Sequence, residues 1–235
     1  MPRLARIVLA GVAHHVVQRG NNRQDVFFVP DDYRAYLGLL KAQCERECLK
    51  ILAYCLMTNH VHLVATPEKS ESLAQAVGRT DFLYTQYVNR LHGRSGHLWQ
   101  DRFHSCALDE EHFWLALRYV EQNPLRAGMV EKAWSYSWSS AAAHVGAAAG
   151  DEMVDLEEWR RLTTPGEWRK ALERPPRKEA VRALRKSTQR GWPMAGDSLL
   201  AKMEKILNRR LRALPSHRPQ GARDIHPRKR REKRG

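Results

Sequence analysis

The chain has 235 residues, 43% of them hydrophobic, which is enough to bury one well-packed domain and a smaller appendage. Lys and Arg number 40 against 26 Asp and Glu, a net charge of +14 that exceeds what solubility requires and points to a polyanionic partner. No stretch approaches the roughly 18 uninterrupted apolar residues of a membrane span, so the membrane reading is weak and nucleic acid is the expected partner.

The first ten residues read as a short basic arm. The run Ile7 to Val17 is broken by His14 and His15 and is not expected to act as an export signal. Residues 12–18 (VAHHVVQ) are compact and rich in β-branched side chains, which predicts a strand. The loop RGNNRQ follows. Asp31 and Asp32 after Pro30 open a helix to about Cys48, with Tyr36, Leu37, Leu39 and Leu40 at helical spacing. Residues 49–57 and 60–66 predict an antiparallel hairpin closed by Pro67. A second helix is expected from about Ser70 to Leu91, then a strand over 98–108. Asp109 can cap a third helix ending at Asn123, because Pro124 disfavours helical geometry in the residue before it.

The order β-α-β-β-α-β-α predicts an α+β, ferredoxin-like split βαβ sheet with helices on one face and the other face open. Residues 1–148 are expected to form this domain and 149–225 a basic, mainly helical C-terminal region, with an amphipathic helix over 197–211. Residues 226–235 are nearly all charge and are expected to be a disordered tail. Cys44, Cys48, Cys55 and Cys106 show no disulfide spacing, which fits reduced thiols in a cytoplasm.

Two features could carry chemistry. His60 and His62 lie two apart on a predicted strand, so both rings share a face while Val61 and Leu63 point the other way. Two imidazoles so placed can chelate a divalent ion, although the spacing alone is commoner in ordinary surface strands. Tyr119 falls off the core stripe of Phe113, Leu117 and Val120, and Asn123 one turn later shares its side of the helix. A phenol is a poor nucleophile near neutrality, its reference pKa being about 10, unless a cation assists. Taken alone, this pair also reads as a packed tyrosine and a helix-ending Asn. Tyr84 and Tyr87 are better suited to packing or DNA contact.

The blocks HHVVQRGNNRQDVF, MTNHVHLV, GRSGHLWQDRF and LRYVEQNPLRAGMV occur in that order. Together they resemble the IS200-like Y1 transposases of the HUH nuclease superfamily, and most of all the branch associated with repetitive extragenic palindromes (REPs). The resemblance spans about residues 5–145. It implies a metal-dependent, bacterial, nucleoid-associated enzyme acting on single-stranded or hairpin DNA. His60, His62 and Asn123 would hold Mg²⁺ or Mn²⁺, and Tyr119 would form a 5′-phosphotyrosine intermediate. It also implies a monomer ahead of a homodimer. One departure stands out: a GRPLG-like segment of the relatives reads GWPMAG at 191–196, with Trp192 in the place of an arginine. Trp192 could stack on an unpaired base.

The expected DNA surface comprises Arg19, Asn21, Asn22 and Arg23 in the loop after the first strand, with Arg79, Arg94, Arg102, Arg126 and Trp192. Trp99 and Phe103 fit the core better than a stacking platform. Two other functions compete: a palindrome-binding protein with an idle tyrosine, and zinc-stabilised binding through Cys44, Cys48, His60 and His62.

Overall fold

The computed structural model describes residues 6–211; the basic tail expected at 226–235 lies outside the described residues. The strands are β1 (His14–Arg19), β2 (Leu49–Met57), β3 (His60–Pro67) and β4 (His104–Ala107). Helices α1 (Pro30–Glu47) and α2 (Ser72–Leu91) connect them in the expected split βαβ order. The four strands form one antiparallel sheet in the order β2-β3-β1-β4, the ferredoxin-like arrangement. After β4 come α3 (Glu110–Glu121) and the single turns α4 (Asn123–Arg126) and α5 (Ala141–His144). The C-terminal region adds α6 (Leu156–Leu162), α7 (Pro165–Glu173), α8 (Lys178–Arg190) and α9 (Asp197–Leu207).

Strand alternation sorts the sheet into two cores. Val16, Val61, Leu63, Leu56 and Tyr54 point towards α1 and α2, where they meet Tyr36, Leu40, Val77 and Tyr84. Trp99 and Phe103 belong to this core, as their sequence context suggested. Ala53, Cys55, Met57, Val64 and Cys106 point the opposite way and pack with Leu117, Val120 and Leu184. The face expected to be open is therefore partly roofed by α3 and α8. What the alternation left uncovered was apolar at one end, and burying it needed more chain.

Three expectations need correction. The strand predicted over 98–108 is confined to residues 104–107, because Trp99 and Phe103 turn into the α1/α2 core, and outside the strand Trp99 and Leu108 make isolated bridges, to Gly20 and Met194. Residues 6–10 are not a free basic arm: Ile7 and Leu9 are buried with Met203 of α9, and Arg6 lies over the Phe103 ring at 3.7 Å. Helix α3 ends at Glu121, two residues before the expected stop, and the chain then makes one further turn with Pro124 near its start. The predicted cap holds: Asp109 accepts a hydrogen bond from the His112 amide at 3.0 Å.

Candidate active site

A cavity of about 710 Å³ opens between the sheet and its C-terminal roof. Its floor is set by strand register. Val17 pairs with His62 and Arg19 with His60 across β1 and β3, so His15, Val17 and Arg19 share the face of the two histidines. Helix α3 brings Tyr119 over this floor, and the turn after it brings Asn123 and Arg126. His60, His62, Tyr119, Asn123, Arg19, Arg23, Arg102 and Arg126 all line the cavity. Eight of the sequence candidates are thus brought to one place.

Tyr119 is almost wholly buried, 2% exposed, and is held from four sides. The rings of His15 and His62 meet it edge-on at 5.5 and 5.4 Å. The Arg126 guanidinium lies over its ring at 4.2 Å. The Nε of Arg185, on α8, donates to its hydroxyl at 3.0 Å. Arg126 also donates from Nη2 to Asn123 Oδ1 at 2.6 Å, tying phenol and carboxamide to one cation.

Burial and neighbouring positive charge favour the neutral form of the histidines here. Burial pushes the His60 imidazole down to about 4, with Arg19, Arg185 and Arg126 adding to the effect. His62 lies well below the usual histidine range, through burial first and then its neighbours His60 and His15. His15 is pushed down to about 3 by burial and by Arg126. Five arginines line the cavity (Arg19, Arg23, Arg102, Arg126, Arg185) against one lining carboxylate, Asp101, so its field favours an anion.

The donor set was tested against a divalent cation. Among the described residues no group of three or more His, Cys, Asp or Glu side chains is gathered in metal-holding geometry. The available set is two imidazoles and one carboxamide, which leaves positions for phosphate and water oxygens. His60 suits this role. Asn59 donates its Nδ2 to Arg23 O at 3.0 Å, which turns its Oδ1 towards His60 Nδ1 at 2.6 Å. An amide oxygen only accepts, so the His60 proton sits on Nδ1 and Nε2 keeps its lone pair. Asn123 Oδ1, already accepting from Arg126, has a second lone pair for a cation.

The remaining candidates lie elsewhere. Asn21 and Asn22 form the 3-10 turn after β1, whose left-handed residues Asn22 and Arg23 (φ 51° and 60°) aim Arg23 into the cavity while the two asparagines stay outside its lining. Arg94 is exposed and donates to Gln24 at 3.1 Å. Arg79 is exposed on α2, on the other side of the sheet, over the Phe82 ring. Trp192 is 41% exposed just past α8, outside the cavity lining. Its neighbour Met194 is buried and extends the sheet by bridging to Leu108 beside β4. Tyr84 is buried in the opposite core with its hydroxyl on Val26 O, which removes it as a nucleophile. Cys44 belongs to that opposite core as well, with the sheet between it and His62, so the four-ligand zinc site is not formed.

Sequence reasoning missed His15 and Arg185. His15 sits on the floor only because of the β1–β3 register, and Arg185 reaches Tyr119 across 66 residues of chain. No local pattern encodes either contact.

Residues 9–123 match the family model described as "Transposase IS200 like". The matched segment is similar to that family over just under half of the chain. Among solved structures, a REP-associated tyrosine transposase bound to a REP hairpin is similar at 16% identity with a TM-score of 0.54, over 66% of this chain and 92% of that one. That likeness shows the Y1 transposase fold. A solved chain from Deinococcus radiodurans R1 is similar at 18% identity with a TM-score of 0.37, over 52% of this chain and 97% of that one. No curated protein matches by sequence. No helix among the described residues is long and apolar enough to cross a membrane.

Proposed function

We propose that this protein is an IS200-like transposase, a metal-dependent strand transferase that cleaves and rejoins single-stranded DNA at REP-like hairpins. The observation that carries the reading is the convergence of Tyr119, His60, His62 and Asn123 in one arginine-lined cavity. The solved relative bound to a REP hairpin supports the substrate class.

The phenolic oxygen of Tyr119 attacks phosphorus. A P–O bond to Tyr119 forms, the bond to the 3′ oxygen breaks, and the phenol's proton ends on the departing 3′-hydroxyl. The 5′ phosphate stays on the protein, and attack by a 3′-hydroxyl reverses the sequence without an external energy source. Arg185 holds the phenol oxygen, and Arg126 and Arg19 set positive charge where phosphate oxygens gather. His60, His62 and Asn123 would hold Mg²⁺ or Mn²⁺, which supplies polarisation of the scissile phosphate. Arg23 and Arg102 would contact flanking phosphates. In this reading residues 1–148 carry the chemistry and 149–225 complete the site through Arg185. The protein would act as a monomer in the bacterial cytoplasm.

A second reading, hairpin binding without cleavage, is favoured by the fact that Tyr119 is 2% exposed and its hydroxyl already engaged by Arg185. One substitution separates the two. Tyr119→Phe should bind a hairpin as the wild type does and form no covalent adduct with single-stranded DNA in Mn²⁺. Wild-type protein that also forms no adduct supports the binder. Cleavage by the phenylalanine variant, or cleavage unchanged by EDTA, would remove the mechanism.

A further inference from the structure

The ring of His62 does not stand alone on the floor of the cavity. Its Nδ1 lies 3.1 Å from His15 Nε2, with the two rings only 9° from parallel. The other nitrogen of His15, Nδ1, lies 2.8 Å from the hydroxyl of Thr188 on α8. That hydroxyl lies 2.9 Å from the Leu184 carbonyl one turn back. All three side chains are at most 3% exposed, so water does not compete for these bonds.

The protons of this chain can be assigned by elimination. Two oxygens 2.9 Å apart must share a proton, and a carbonyl has none to give, so Thr188 donates to Leu184. Its hydroxyl therefore accepts from His15 Nδ1–H. A neutral His15 protonated on Nδ1 has a bare Nε2, which accepts from His62 Nδ1–H. His62 then keeps its lone pair on Nε2. The thiol of Cys106, 3.1 Å from the same hydroxyl, can donate into the second lone pair and reinforces this order.

We propose that Thr188 and His15 are positioning residues that fix the tautomer and ring plane of His62, leaving its Nε2 free to bind the cation. Their role parallels that of Asn59 beside His60, but it is assembled from β1 and a helix outside the matched segment 9–123. The inference rests on the reading of His62 as a ligand. It adds that α8 prepares the metal site as well as touching the tyrosine.

The test uses the full-length, metal-free protein with ¹⁵N-labelled histidine. Long-range ¹H–¹⁵N NMR should find His62 and His15 both protonated on Nδ1. Thr188→Val keeps the shape of the side chain but removes the acceptor. A buried His15 Nδ1–H would then lack a partner, and the proton order should reverse, placing a proton on His62 Nε2. Co²⁺ affinity, followed by its visible absorption, should fall about 10- to 100-fold, as for other residues that orient a metal-bound histidine. Thr188→Ser should restore both the tautomer and the affinity, which a loss of packing would not allow. Thermal melts check that each variant folds. A wild-type His62 protonated on Nε2, or a valine variant with unchanged tautomer and affinity, would overturn the proposal. Wild-type protein that binds no Co²⁺ yet shows Nδ1–H on both rings would instead refute the ligand reading and support the proton order.

Discussion

Glu121 is the position where one substitution should tell most about how the site is supported. It lies two residues after Tyr119 on α3 and is completely buried. Its Oε1 accepts from Ser140 Oγ at 2.5 Å and His144 Nδ1 at 2.6 Å, and its Oε2 accepts from Trp168 Nε1 at 2.7 Å. One carboxylate thus ties the tyrosine helix to α5 and α7. Glu121→Ala leaves His144 Nδ1 and Trp168 Nε1 without an acceptor and Ser140 Oγ with only the Tyr54 carbonyl at 3.4 Å, and losing one partner of a buried ionic or hydrogen-bonded pair costs about 3–5 kcal/mol. For a chain of this size about 4 kcal/mol corresponds to roughly 8–16 °C in melting temperature. Glu121→Gln should be milder, about 1 kcal/mol. Its amide nitrogen can donate to His144 Nδ1 if that ring moves its proton to Nε2, and the residual cost is that Nε2 is buried with no acceptor beside it. Urea denaturation of the two variants measures both values. An alanine variant within 1 kcal/mol of wild type, or a glutamine variant as damaged as alanine, would refute this account of the cluster.

Three further outcomes follow from the structure. Burial raises the Asp81 carboxyl to about 7, partly opposed by Gln18, Tyr36 and Arg6, so the folded state holds a proton that the unfolded chain releases near 4. Its contribution is present in full below pH 4 and is lost as pH rises towards 7, a change of about 4 kcal/mol at most. Asp81→Asn should remove that slope and be the more stable protein at pH 8; denaturation at pH 5 and pH 8 compares the two, and equal slopes would count against the assignment. Gly20→Ala should destabilise the fold and misplace Arg19 and Arg23, because the added Cβ would sit 2.3 Å from the Gln24 carbonyl oxygen; a melt and a hairpin-binding titration check this, and a neutral result would mean the loop shifts freely. Arg102→Ala should weaken hairpin binding and lower the slope of log K against log salt by about 1, whereas Arg79→Ala on the far side of the sheet should leave both unchanged.

Much of this protein was legible in the sequence. The alternation of His60-Val61-His62-Leu63 fixed which side chains faced the helices, and the spacing of Tyr119 and Asn123 fixed their common side of α3. These are local periodicities, set by backbone geometry within a few residues. The ordered blocks added the family. Strand β4 was overextended because Trp99 and Phe103 look like strand residues yet are claimed by the core beneath α2, a choice that propensity does not record.

Only the tertiary structure decided what completes the cavity. Arg79 and Arg126 are equally basic in sequence, and the sheet puts one behind it and the other over the tyrosine ring. His15 reaches His62 through strand register, and Thr188 and Arg185 reach the site from a helix whose own sequence shows only a dense run of charge. Sequence by itself determined the residues that alternate or recur along one element. Contacts between elements depend on register and on which apolar face needs covering, and those are properties of the assembled fold.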